Sequence, residues 1–219
     1  MGGGTSRKTA ASPDDGAEYI YHERQRDSLC GMHAVNNLLQ RRAVTPRQLR
    51  RIARRLDEAE RRLMERRRRR KLLRAVTCGQ AGLGAEEPGN CGRGGDFSFQ
   101  VLEAALLEHG VLLLPLRGSG AMEAWGCIVW CADHWVAYRR VQVSEESIWL
   151  DFNSTLRRPR ALSPSQVKRL EAGLSPAKGG VVFAAVGDPP PSPPPLPGRG
   201  GGGGSLVQLK LRAERVTVY

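Results

Sequence analysis

The apolar pattern of this chain changes once, and that change limits what it can fold into. Up to Leu106 apolar residues recur at helical spacing, apart from a short extended stretch at Tyr19 to Tyr21. From Val111 onward they run continuously or alternate between turn signals, which is the pattern of strands. Helices first and strands second predict an α+β domain, with N-terminal helices packed on an antiparallel sheet. A chain of 219 residues suits one such domain plus tails, or at most two small domains.

The first helix is expected from Cys30 to about Gln40, with Ser28 as N-cap and Leu29, Val35, Leu38 and Leu39 as apolar positions. The second opens on Thr45, Pro46 and Gln48, which combine an N-cap, a proline in the first turn and a capping-box partner. Leu49, Ile52, Ala53, Leu56, Leu63 and Met64 then form one apolar stripe. Within Arg66 to Lys71 the stripe ends, so this part of the helix must project from the body or be solvated. Residues 77–95 are Gly-rich and predict a loop. A third helix follows, capped by Asp96 or Ser98, burying Phe97, Val101, Leu102, Ala105 and Leu106, and ending at Gly110. Val111 to Leu116 reads as a buried strand. Gly126 to Cys131 and His134 to Val141 read as two strands joined at Ala132-Asp133. Ser147 to Asn153 is a further strand, with a turn through Arg157 to Arg160. A short helix over Gln166 to Leu174 and a last strand over Val181 to Val186 complete the pattern.

The formal charge of +12 suggests nucleic acid, yet it resides in one place. Residues 41–74 hold fifteen Arg and one Lys against four acids, and the remaining chain has eighteen of each sign. A solvated helical arm is the default reading of that segment. A nuclear-localisation or nucleic-acid patch and a surface for an acidic partner are the alternatives. No aromatic residue is interleaved to stack on bases. No run approaches the ~18 apolar residues of a membrane span, and the N-terminus lacks an apolar signal segment. Five cysteines without a CxxC pair read as reduced thiols, hence a cytoplasmic or nuclear protein. Residues 1–17 predict a disordered leader, in which Gly2 fits a myristoylation pattern that would add weak membrane association. Pro189 to Pro197 reads as a polyproline II segment with PxxP spacing, either a rigid spacer or a ligand for an SH3-type partner. It opens a Pro/Gly-rich tail over 189–219 in which Leu206 to Tyr219 reads as a lone strand.

A lone cysteine in a helix is usually a small buried hydrophobe. Cys30 differs in its place and its company. At a helix N-terminus it feels the positive end of the dipole and unpaired backbone donors, which favour thiolate. Gln25 lies just upstream, where an amide can point at whatever the sulfur attacks. Of the four histidines, His109 lies at a helix end, His22 in the loop, and His33 one turn from Cys30, where it reads as a supporting residue. His134 begins a strand among apolar neighbours, and Asn153 on the next strand can accept its ring N–H. Asp151, two residues before, shares that face and competes for the role. Cys127 and Cys131, four apart, are candidate metal ligands, but no second close pair accompanies them; no metal and no cofactor is expected.

Cysteine on an N-terminal helix followed by His and Asn on consecutive strands is the papain-like order. His22-Glu-Arg-Gln25, Ser28-Leu-Cys30, His33, Asn36-Asn-Leu-Leu-Gln40, Phe97-Ser-Phe-Gln-Val101, His134-Trp135 and Asn153-Ser154 together resemble the Josephin family of deubiquitinating cysteine proteases, over about residues 18–188. The resemblance implies Cys30 as nucleophile, His134 as general base and acid, Asn153 as orienting residue and Gln25 in the oxyanion hole. It implies Trp135 and His33 beside a substrate channel, and ubiquitin, ubiquitinated proteins or polyubiquitin as substrate. Residues 58–90 correspond to the family's helical arm, here unusually basic. Two other readings compete: an inactive or autoinhibited ubiquitin-binding module, and a nucleic-acid-binding protein acting through the Arg-rich segment.

Overall fold

The structure, a computed structural model, describes residues 18–25, 27–78, 89–92, 96–116, 124–143, 146–176, 180–191, 204–212 and 215–218. The leader with Gly2, most of the Gly-rich loop and the PxxP segment beyond residue 191 lie outside them. In chain order the elements are β1 (Glu18–Glu23), α1 (Cys30–Leu38), α2 (Pro46–Cys78), α3 (Phe99–Leu107), β2 (Leu112–Pro115), β3 (Gly126–Cys131), β4 (His134–Val143), β5 (Glu146–Asp151), β6 (Arg160–Ala161), α4 (Pro164–Glu171), β7 (Val181–Val186), β8 (Gly204–Arg212) and β9 (Arg215–Val218). This is an α+β fold: a six-stranded antiparallel sheet in the order β2-β7-β3-β4-β5-β6, with helices against it.

Side chains alternate across the sheet, so its two faces build two cores. Ile128, Trp135, Ala137, Leu150 and Ala185 meet Val35, Leu38, Leu49, Ile52, Val101, Leu102 and Leu106 from α1, α2 and α3. Cys127, Val129, Val136, Tyr138 and Val182 pack with Leu162 and with Leu170 of α4. Helix α1 sits close enough on β3 that a Cβ at Gly126 would lie 2.7 Å from the Leu38 side chain. Arg139 of β4 donates to the carbonyl of Leu38, closing the C-terminal end of α1, and to that of Pro190.

The α2 start is as expected: the Thr45 N–H donates to Gln48 Oε1 at 2.9 Å, and the Gln48 N–H to Thr45 Oγ1 at 3.4 Å. The stripe behind it is shorter than its periodicity suggests. Leu49, Ile52 and Ala53 are buried, whereas Leu63 and Met64 are 58% and 52% exposed. From Glu58 every described side chain of α2 is exposed, because the helix, about 50 Å long at ~1.5 Å per residue, has left the body. Thr77 and Cys78, expected in the loop, still belong to it. The chain returns at Asn90, whose N–H and Nδ2 donate to Asp57 Oδ1 at 3.2 and 2.8 Å, pinning the arm at its root.

Other expectations are corrected by position in the fold. The apolar run at 111–116 forms an edge strand with Leu112 and Leu114 exposed, since only one face of the edge is covered. Arg160, expected in a turn, pairs with β5 together with Ala161. Helix α4 begins two residues earlier than its apolar pattern, at a second Ser-Pro-x-Gln capping box on Ser163 and Gln166. The segment after residue 204 is not a lone strand. It folds into the hairpin β8–β9, and β8 pairs with β1 along all six residues, from Glu18↔Leu209 to Glu23↔Gly204.

Candidate active site

Three elements meet at Cys30. Helix α1 begins with it, after a turn through Asp27 at φ 58°. The N-cap is Leu29, with no side-chain cap, and Ser28 is exposed in the preceding turn. The expected Ser28 cap is therefore absent, and no side-chain hydroxyl caps the N–H donors of the first turn. Strand β4 brings His134 and Trp135. A two-residue turn holds Ala132 and Asp133 at φ 49° and 55°, the geometry of a type I′ hairpin, and so fixes His134 opposite Cys131. Gly31 lets this strand approach: a Cβ there would lie 3.0 Å from Leu102 and 3.3 Å from the Trp135 ring.

Asn153 arrives differently from the expectation. It was placed on a strand beside His134, but β5 ends at Asp151. There the chain bends through two side-chain turns. Asp151 Oδ1 accepts from the Asn153 N–H at 2.9 Å, and Asn153 Oδ1 accepts from the Thr155 N–H at 3.0 Å and Thr155 Oγ1 at 2.9 Å. The bend carries Asn153 Oδ1 to 2.9 Å from His134 Nε2. Asp151 holds the backbone of Asn153 and accepts from Arg160 at 3.3 Å, so it does not compete for the imidazole.

These bonds fix a tautomer. A backbone N–H can only donate, so the Asn153 atom facing Thr155 is the oxygen, and His134 must donate to it through Nε2–H. Nδ1 is then the ring nitrogen left for Cys30. The thiol is 4% exposed. Burial alone would raise its pKa, but hydrogen bonds from the His134 ring and the N–H groups of Trp135 and Gly31, with the His134 charge, outweigh it and lower it below the ordinary thiol value. The bond to Cys30 is the main reason that His134 is raised, against desolvation and with help from Asn153, the sulfur's charge and Asp151. The arrangement favours a thiolate–imidazolium pair.

Gln25 is stitched to the same bend: its N–H donates to Ser154 O at 2.7 Å, and its Oε1 accepts from Ser154 Oγ at 3.2 Å. Its Nε2 donates to Asp27 O at 3.0 Å, within the turn that leads to Cys30. The two residues expected at a substrate channel are both buried. Trp135 donates through Nε1 to Phe97 O at 3.2 Å and lies among Phe99, Trp130 and Phe183. His33 sits inside, with Nδ1 2.8 Å from Glu23 Oε2, because α1 turns that face toward β1 rather than to an open wall. His109 lies just past the end of α3, as expected, but its Nδ1 accepts from Arg41 at 3.3 Å. Cys127 is buried, which pushes its thiol up and keeps it protonated. Among the described residues no group of three His, Cys, Asp or Glu is placed to hold a metal ion.

The support behind the site lies in residues that carry no reactive chemistry. His22 belongs to β1, not to a loop, and reaches Asn153 O at 3.4 Å. Asn37 accepts from the Glu23 N–H at 2.6 Å and donates to Phe152 O at 3.1 Å, joining β1 to the bend that bears Asn153. Glu23 also takes Asn36 Nδ2 at 3.0 Å and the Tyr21 hydroxyl. Burial would raise this carboxyl, but His33, Tyr21 and Asn36 donate to it and hold it low. The available signal was the polar pair Asn36-Asn37 in an otherwise apolar helix.

A family model described as Josephin matches residues 25–184. The chain is 34% identical to an ataxin-3 homolog of Arabidopsis thaliana over 66% of its own length and 51% of that protein. It is 30% identical to ataxin-3 of Homo sapiens and of Gallus gallus, in each case over 79% of this chain and 47% of the relative. It thus spans about half the length of the curated relatives it matches. With a match over most of the chain, and a sheet-on-helix core that brings cysteine, histidine and asparagine together, this chain belongs to the Josephin family.

Proposed function

We propose that the chain is a thiol-dependent deubiquitinase, cleaving isopeptide or peptide bonds at the C-terminal glycine of ubiquitin. The observation that carries this reading is the hydrogen-bonded series Cys30–His134–Asn153 with the His134 tautomer fixed by the Asn153 bend. Family membership supports the substrate class. Cys30 thiolate attacks the glycine carbonyl carbon and a C–S bond forms. Gln25 and the uncapped N–H groups at the start of α1 receive the developing oxyanion. His134 passes its Nδ1 proton to the leaving amine as the C–N bond breaks, leaving a thioester on Cys30. It then takes a proton from the water that attacks the thioester, and the C–S bond breaks to release Cys30 as thiolate beside the His134 imidazolium, restoring the starting pair.

The test is incubation with ubiquitin bearing a thiol-reactive C-terminal electrophile. Wild type should form a covalent adduct, and Cys30→Ala should form none. Absence of an adduct in wild type, with Cys30 accessible to a small alkylating agent, would overturn the substrate assignment.

A further inference from the structure

The arm of α2 has no part in the chemistry above, and its charge distribution is peculiar. Residues 61–71 contain seven Arg and one Lys against the single acid Glu65. Arg61, Arg62, Arg66, Arg67 and Arg68 are exposed. At the root, Asp57 and Glu60 are engaged by Asn90, at 2.8 and 3.5 Å from its Nδ2, and Glu58 makes one exposed contact with Arg62 at 3.9 Å. At about 100° per residue, positions 61, 62, 66, 67 and 68 are spread around the helix with no gap wider than about 100°.

An arm charged on every side fits poorly on a flat acidic protein surface, which would engage one face and leave the others desolvated or idle. It fits a groove walled by anions on both sides. An α-helix with its side chains is about 10–12 Å across, and the major groove of B-form DNA is about 12 Å wide. The major groove of A-form RNA is too deep and narrow to admit it. We infer that the projecting half of α2 is a duplex-DNA-binding arm that lies in the major groove and contacts phosphates on both walls. The absence of aromatic residues from the described arm and the dominance of Arg point to backbone contacts, hence to binding that is insensitive to sequence.

Fluorescence anisotropy of the full chain with a labelled 20-base-pair duplex, titrated from 50 to 300 mM salt, tests this. Five phosphate contacts predict a log–log slope of about −4 to −5. Replacing Arg61, Arg62, Arg66, Arg67 and Arg68 together by Gln, which keeps the helix, should weaken binding by roughly 100-fold or more at 100 mM salt. Replacing the same five by Lys should retain binding within about tenfold, because phosphate contacts need charge rather than the guanidinium fork. No binding at 50 mM salt would overturn the inference, as would an affinity unchanged in a folded Gln variant. Equal competition by double-stranded RNA or by polyglutamate of matched charge would also overturn it, in favour of a generic polyanion surface.

Discussion

At the scale of residues, the site is a set of donors and acceptors whose directions are fixed, and each member has a distinct expected cost. Cys30→Ala removes the nucleophile and should lower turnover by roughly 10⁴-fold or more, with His134→Ala nearly as severe. Asn153→Ala leaves the base in place but frees its tautomer, and should cost about 10- to 100-fold in kcat with little change in KM. With the thiol lowered and the imidazole raised, kcat/KM should follow a bell. The acid limb marks protonation of Cys30 and the alkaline limb loss of the His134 proton, and Cys30 alkylation should share the acid limb. Glu23 gives a stability prediction. Its folded pKa is depressed, so its contribution is present above the ordinary carboxylate pKa, near ~4.3, and is lost as pH falls through the lower folded value. Glu23→Gln should therefore lower Tm at neutral pH and flatten the acid limb of Tm against pH; an unchanged acid limb would show that Glu23 is not the group titrating there. Cys30, His134 and Asn153 stand out in the sequence because thiol chemistry demands those residue types. The hydrogen-bond partners of Glu23, Asn37 and Asp151 do not, since a buried hydrogen bond is defined by what folds against the residue and not by the residue itself.

At the scale of elements, β1 is bounded on both edges by different means. On one edge the N–H of Tyr21 donates to Gln40 Oε1 at 2.9 Å and that of Glu23 to Asn37 Oδ1 at 2.6 Å, so side-chain amides of α1 and of the residue after its C-cap stand in for a neighbouring strand. Alternate residues of a strand point their amides to opposite edges, which leaves Ile20 and His22 facing β8. Ending the chain at residue 203 should thus speed hydrogen exchange at Ile20 and His22 while sparing Tyr21 and Glu23. Loss of these bonds, net of ordering entropy, should lower stability by about 2 kcal/mol, or Tm by roughly 4–8 °C. Uniform loss of protection along β1 would mean that the hairpin supports the whole strand and not one edge. Legibility at this scale followed chemistry more than hydrophobicity. Thr45-Pro46-x-Gln48 marks a helix start to the residue, and the same signature at Ser163 marks the start of α4, two residues ahead of its apolar spacing. The stripe through Met64 and the run at 111–116 misled, because periodicity reports which face is apolar but not whether anything covers it.

At the scale of the molecule, charge is segregated: outside residues 41–74 the chain has eighteen positive and eighteen negative side chains, while that segment carries the whole excess of +12. Cys30, His134 and Asn153 belong to the balanced part, where neighbouring charges come in pairs such as Asp151 with Arg160 at 3.3 Å. A balanced surface provides little long-range steering, and what it provides is screened beyond about 8–10 Å at physiological salt. The two proposed activities should then answer differently to ionic strength. Hydrolysis of a C-terminal ubiquitin reporter should hold its kcat/KM within about twofold between 50 and 300 mM salt, whereas binding through the arm should fall steeply over the same range. Measuring both on one preparation separates the two. A kcat/KM that falls in step with the arm's affinity would place the arm in the path of the ubiquitin substrate, and would identify this helix as part of how substrate is admitted rather than a separate binding element.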